Sequence, residues 1–462
     1  MKSINPISLL AFSIVLYVAR NAIPYAVYPL MVLLFAFTLF QLVNLKNAKQ
    51  VLMKTRKMFF PVILLIIIEL VALFATVFPF HGRSLDIIKD IAFISIFLFL
   101  LASHIQTNEN FQKLSAQISK YFILFSIIIS IAGLWKFFYS PSFLSYNQIN
   151  GVKYFRWGTT LMMDYNFFSL FLFNGLIFGL YQILQYPDSI KRKTFFLILL
   201  QIIILAGLFS GSRRFIICFI MFIMICLLLL IPYLYKKVFT NEVSYKCFNL
   251  FLGLTLLNFG IIFTFLSYFP KISEKAEKIF FINSKNMNTN IICVSNRINS
   301  VASFPLIKVH TENKTLAEIK ESNPIVPLTS SRQKLWDLGK EIYRDYSISK
   351  KIVGNGFTFF EIFKKETEQF LYPHHLFLSV LLFSGIIGLI IYIVVLLWAS
   401  IIYLYHLKTL GVFFVLFVFN FIFGFFSFTD FFGSSFYALL LIFPLLYRHL
   451  HKSEKNIILN KT

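Results

Sequence analysis

The chain has 462 residues, of which 58% are hydrophobic and only 14% charged. So few charges cannot cover the surface of a water-soluble protein of this length, which excludes a soluble fold and requires much of the chain to face lipid. The formal net charge of +23 does not point to nucleic acid, because Lys and Arg fall in the gaps between apolar blocks and mark no basic face of a soluble domain. Cys218, Cys226 and Cys247 lie in or beside apolar segments, leaving Cys293 as the only cysteine in a long polar stretch, so no disulfide framework is expected.

In chain order, the short apolar run from Pro6 to Ala19 follows Lys2 and precedes no small-residue cleavage site, so it is read as a retained first helix. Blocks such as Val62 to Phe78 and Phe215 to Tyr233 reach about the 18 residues that a spanning helix needs. Blocks bounded by polar or basic residues predict spans near 5–19, 23–43, 59–80, 87–105, 120–139, 166–186, 194–210, 215–234, 247–268, 375–404, 410–427 and 431–447. The expected fold is an all-α polytopic membrane protein of about 12 transmembrane helices.

Basic residues collect on the cytoplasmic side of membrane proteins. With the N-terminus inside, that side holds 19: Lys2, Lys46, Lys49, Lys54, Arg56, Lys57, Lys113, Lys120, Lys191, Arg192, Lys193, Lys236, Lys237, Lys246, Lys408, Arg448, Lys452, Lys455 and Lys461. The opposite short gaps hold 8, namely Arg20, Arg83, Lys89, Lys136, Lys153, Arg156, Arg213 and Arg214. Both termini are then cytoplasmic. The organisation is helices 1–5 with an outer loop over 1–165, helices 6–9 over 166–268, a long outer loop over 269–374, helices 10–12 over 375–447 and a tail over 448–462.

Within the long loop, Leu335, Leu338, Ile342 and Tyr346 recur at helical spacing among charged residues, with Ser330 and Ser331 as caps and Arg332 in the first turn. Gly354-Asn355-Gly356 breaks that pattern, and Phe359, Ile362, Phe363 and Phe370 predict a second helix lying on the membrane surface. Residues 283–329 are rich in Asn, Ser, Thr and Lys without periodicity.

Three constellations carry possible chemistry. His374-His375 stand where the long loop enters the membrane, followed by Gly385 and Gly388; they are either interfacial anchors or a base beside an amphipathic substrate. Gly211-Ser212-Arg213-Arg214 closes a very short outer turn, where two guanidiniums either snorkel or hold phosphate oxygens. Ser330-Ser331-Arg332, with Trp336 one turn on, is either a solvated helix start or an anion site. Asp164 and Asn166, at the mouth of another span, either cap it or assist. No histidine here has an evident third metal ligand nearby.

Together these motifs resemble the O-antigen ligase and polymerase family of bacterial envelope enzymes. His374-His375, nine residues, Gly385, two residues and Gly388 is similar to the family's histidine followed at that distance by Gly-x-x-Gly. Ser212-Arg213 resembles its short-turn arginine, and Ser331-Arg332 with Leu335-Trp336 and then Gly354-Asn355-Gly356 resembles its loop pattern. The likeness covers roughly 160–450 and departs at His375, where the family usually has Asn, Ser or Gln.

The resemblance implies an inner-membrane glycosyltransferase with a periplasmic active face that uses no cofactor, nucleotide or metal. The donor would be a polyprenyl-diphosphate-linked glycan and the acceptor a sugar hydroxyl on lipid A core or on another glycan. His374 would be the base, Arg213 and Arg332 the diphosphate holders, with Arg214, His375, Trp336, Gly354 and Gly356 contacting substrate. A polymerase joining carrier-linked repeat units and a protein-glycosylating relative are alternatives within the family. A polytopic transporter or flippase is the alternative from another class, for which Glu69 is the clearest intramembrane ionisable group.

Overall fold

In lipid every backbone N–H and C=O must find its partner within the protein, so apolar segments of spanning length fold as helices. The computed structural model describes residues 5–23, 27–43, 47–76, 82–139, 146–149, 152–155, 158–161, 165–185, 190–228, 249–257, 260, 328–367 and 372–459. Its helices are α1 Pro6–Ala19, α2 Tyr28–Leu42, α3 Ala48–Ala75, α4 Gly82–His104, α5 Asn108–Tyr139, α6 Tyr165–Gln185, α7 Ile190–Phe209 and α8 Arg213–Leu228. After these come α9 Leu328–Arg344, α10 Ile348–Val353, α11 Phe359–Thr367, α12 Leu376–Tyr405, α13 Leu407–Phe425 and α14 Ser435–Leu459.

Among the described residues five helices are long and apolar enough to cross a membrane: α3, α5, Tyr165–Ile183 of α6, α12 and α13. The chain is a helical membrane protein. Helices α1, α2 and Lys193–Phe209 of α7 are apolar but shorter. Of the span expected at 247–268, residues 249–257 and 260 are described, all as helix. Most of the long loop, with Asp164, Cys247 and Cys293, lies outside the described residues.

Three details depart from the sequence expectations. A hairpin pairs β1 Tyr146–Ile149 antiparallel with β2 Val152–Phe155, Tyr146 opposite Phe155, where an all-α chain was expected. Helix α9 starts at Leu328, so Ser330 and Ser331 lie inside it rather than capping it, and Arg332 falls in the second turn rather than the first. A short helix, α10, precedes Gly354.

The helices form two compact units, residues 1–42 with 112–307 and residues 43–111 with 308–462. In the first, small residues let helices approach: a Cβ on Gly175 would collide with Ser126 of α5, and one on Gly179 with Leu200 of α7. Phe122 meets Phe171 and Phe178 at centroid distances of 5.1 and 5.2 Å. In the second unit α3 packs on α4, α12 and α14. Phenols buried there are paired, Tyr392 with Tyr437 at 3.2 Å and Tyr403 donating to the Leu440 carbonyl at 2.6 Å. Ile386, Ile390, Val394, Leu397 and Ile401 leave an exposed stripe along α12 at helical spacing, the lipid-facing side of a spanning helix.

Candidate functional site

In the second unit the site is built around the four residues before α12. Gly339 of α9 brings that helix against the first turn of α12, since a Cβ there would stand 2.8 Å from Leu378 Cδ2. Trp336, one turn earlier, therefore meets His375 edge-on, with centroids 5.5 Å apart and planes at 87°, and stacks on Phe426 at 6.4 Å.

His375 is the N-cap of α12. Its backbone is extended (φ −148°, ψ 111°) and its Nδ1 accepts the Leu378 N–H at 3.2 Å, satisfying one of the donors a helix start leaves open. Its ring also meets Phe425 at 4.7 Å. Burial, aided by the Lys340 charge, holds this imidazole below the ordinary histidine pKa, which suits a cap that accepts only when unprotonated. Because the folded pKa is depressed, the cap's contribution is complete above the unfolded value of about 6.5 and is lost as pH falls through the lower folded value. An N-cap of this kind contributes on the order of 1 kcal/mol. Thermal unfolding of the purified protein is expected to show a midpoint that drops on acidification in the wild type and drops less in His375→Asn, whose amide caps at any pH.

His374 adopts φ +52°, the one positive φ at a non-glycine among the described residues, and such conformations persist where the surroundings hold them. Its Nδ1 lies 3.3 Å from the Phe426 carbonyl oxygen. A carbonyl only accepts, so Nδ1 carries the proton and Nε2 the lone pair. Tyr372 lies against the ring at 4.1 Å. The adjacent histidines thus have different work: one caps a helix, and the other presents a defined tautomer.

Helix α12 is broken at Gly385 (φ 65°, ψ −167°). The break leaves the Leu382 carbonyl without a regular helical partner, and the Asn355 N–H supplies one at 3.1 Å. A Cβ on Gly385 would collide with the Ile352 carbonyl, and one on Gly354 (φ 86°) with the Phe383 carbonyl. Gly356 (φ 60°) packs on the Ala72 carbonyl, while the Phe357 N–H donates to Thr76 Oγ1 at 2.8 Å. Gly354 and Gly356, expected to contact substrate, are engaged in backbone packing that ties the loop to α12 and α3.

In the first unit the arginine turn is held by a buried polar network. Ser212 caps α8 through its Oγ, which accepts the Phe215 N–H at 3.3 Å, and donates to Asn166 Oδ1 at 3.2 Å. Arg213 and Arg214 are therefore the first two residues of α8, and Asn166 ties the turn to α6. Thr159 donates its N–H to the Phe209 carbonyl at 3.1 Å and its hydroxyl to that of Ala206 at 2.6 Å. The turn containing Thr159 is clamped by Lys136, wholly buried, whose Nζ donates to the Gly158 and Thr160 carbonyls at 3.0 and 2.6 Å. In the sequence Lys136 counts only among the outer basic residues, because a lysine closing an apolar run looks the same whether it snorkels or clamps.

Arg213 and Arg214 belong to the first unit and Trp336, His374 and His375 to the second. Arg332 lies on α9, with its side chain outside the described residues. Among the described residues no group of three or more His, Cys, Asp or Glu is placed to hold a metal ion. No family model, curated protein or solved structure matches the chain.

Proposed function

We propose that the chain is a membrane glycosyltransferase of the O-antigen ligase type, moving a polyprenyl-diphosphate-linked glycan onto a sugar hydroxyl of lipid A core. The observation that carries the reading is the 3.3 Å contact of His374 Nδ1 with the Phe426 carbonyl oxygen, a hydrogen bond that in the neutral ring leaves the lone pair on Nε2. In this reading Nε2 takes the acceptor hydroxyl proton as the oxygen attacks the anomeric carbon. The carbon–oxygen bond to the diphosphate breaks, its electron pair stays on the phosphate oxygen, and the charge that develops is balanced by arginine, the role the resemblance gives to Arg213 and Arg332. Arg213 and Arg214 open α8 at the short turn, the position of the family's short-turn arginine in the resemblance. In the same reading His375 stands where the family has Asn, Ser or Gln because all of these side chains offer a capping acceptor.

The reading further holds that the chain crosses the bacterial inner membrane about twelve times, with both termini cytoplasmic and the site periplasmic. Reporter fusions are expected to place residues near 50, 190, 240 and 455 in the cytoplasm and those near 150 and 310 outside. A cytoplasmic signal at 310 would put the donor on the wrong side. In a strain lacking the protein, lipid A core is expected to lose all glycan while carrier-linked polymer accumulates. Core bearing a single repeat unit would make the chain a polymerase, and an unchanged glycolipid profile would remove both.

A further inference from the structure

Glu69, in the C-terminal part of apolar α3, is wholly buried, and neither carboxyl oxygen closes a hydrogen bond. An isolated carboxylate in such a place costs several kcal/mol, so the group must hold a counter-charge or a proton. Among the described residues, the charged groups that bear on it are themselves acidic: Asp430, from the turn between α13 and α14, and Asp90 of α4. The Tyr392 phenol of α12 faces the same place and pairs with Tyr437 of α14, while the Phe431 N–H points toward Glu69. Asp430 has its own work, accepting the Phe432 N–H at 3.1 Å and the Thr429 hydroxyl at 2.9 Å, and Asp90 accepts the Ser435 hydroxyl at 2.9 Å. Asp430 and Asp90 thus both bear on Glu69 by charge, and each has a side-chain or backbone donor of its own, whereas neither Glu69 oxygen closes a hydrogen bond. Exposure is graded, from Glu69 wholly buried through Asp430 to the partly exposed Asp90.

We propose that Glu69, with Asp90 and Asp430 bearing on it, forms a buried proton-binding site. No group of described acidic residues is disposed to ligate a metal ion, and a proton removes the repulsion with the least rearrangement. Loss of the proton places a third negative charge against Asp430 and loosens the turn at 426–434. The same turn presents the Phe426 carbonyl to His374, so the protonation of Glu69 bears on the seating of that ring. This last consequence rests on the proposed function; the proton site does not.

The test is infrared spectroscopy of the full-length protein in lipid vesicles, read at the C=O stretch of protonated carboxyl groups across a pH series. The expected result is a deuterium-sensitive band at neutral pH that disappears reversibly as pH rises and is missing from Glu69→Gln. Asp90→Asn, which removes one negative neighbour and leaves Glu69 intact, is expected to move the disappearance to lower pH by at least a threefold change in proton concentration. That arm decides the question even if Glu69→Gln does not fold. A wild-type spectrum without the band at neutral pH, a band unmoved at every pH at which the protein stays folded, or a band erased by sodium but not by choline would overturn the proposal.

Discussion

His374→Ala is expected to abolish glycan transfer at normal membrane levels of protein, a loss of about 100-fold to 10,000-fold, the usual contribution of a positioned general base. Two features single this residue out from its neighbour. Its backbone is held at φ +52°, and its Nδ1 bond to the Phe426 carbonyl leaves Nε2 as the nitrogen that would receive the proton in the proposed reaction. His375, by contrast, spends Nδ1 on the Leu378 N–H, so an asparagine reproduces its role. In a complementation assay with protein levels checked by blot, His375→Asn should restore close to full glycosylation and His374→Ala none. Full complementation by His374→Ala with a dead His375→Asn would reverse the assignment, and two active variants would leave both histidines as interfacial anchors.

The largest structural effect is expected at the crossing of Gly354 with Gly385. Both occupy backbone regions that are essentially restricted to glycine, with φ and ψ of 86° and 176° at Gly354 and 65° and −167° at Gly385. A side chain at either carries about 1–3 kcal/mol of backbone strain. It also drives a Cβ into the opposing main chain, which adds about 1–3 kcal/mol of overpacking. Against a typical total of ~5–15 kcal/mol, Gly354→Val should unseat the loop from the break in α12. Gly411 of α13, whose Cβ would meet nothing within 4 Å, provides the comparison: Gly411→Ala should be neutral or slightly stabilising. Thermal unfolding in detergent should show a markedly lower midpoint for Gly354→Val alone; equal midpoints for the two variants would show that the glycine contact carries no load.

The helices were legible because lipid imposes length and apolarity on contiguous residues, which one window of sequence displays. The boundaries of α6 at Tyr165–Gln185, α12 at Leu376–Tyr405 and α13 at Leu407–Phe425 fall within a few residues of those expected. The amphipathic helix around Trp336 was legible from its 3.6-residue period. The hairpin was missed although Asn150-Gly151, a favoured pair for tight hairpin turns, stands between its strands; the helical bias of the whole chain hid a four-residue signal.

At the site, the sequence showed which residues were unusual but not what each one touches. The two glycine motifs read as separate, since nothing local says that Gly354 and Gly385, thirty-one positions apart, lie against each other's strands of backbone. The acceptor for His374, a backbone carbonyl at Phe426, has no side-chain signature at all. Asp430 and Asp90 were likewise invisible as neighbours of Glu69, because that grouping is made by tertiary packing of α3, α4 and the 426–434 turn.

The most direct measurement of the central claim is a reconstituted reaction: purified protein in vesicles with a polyprenyl-diphosphate-linked glycan and lipid A core, followed by mass spectrometry of both lipids. The expected result is glycosylated core and released polyprenyl diphosphate in equal amounts, without added nucleotide, and neither product with His374→Ala. Folded wild-type protein that forms no glycosylated core, yet carries the intact lipid-linked glycan from one leaflet to the other, would contradict the account and make the chain a transporter.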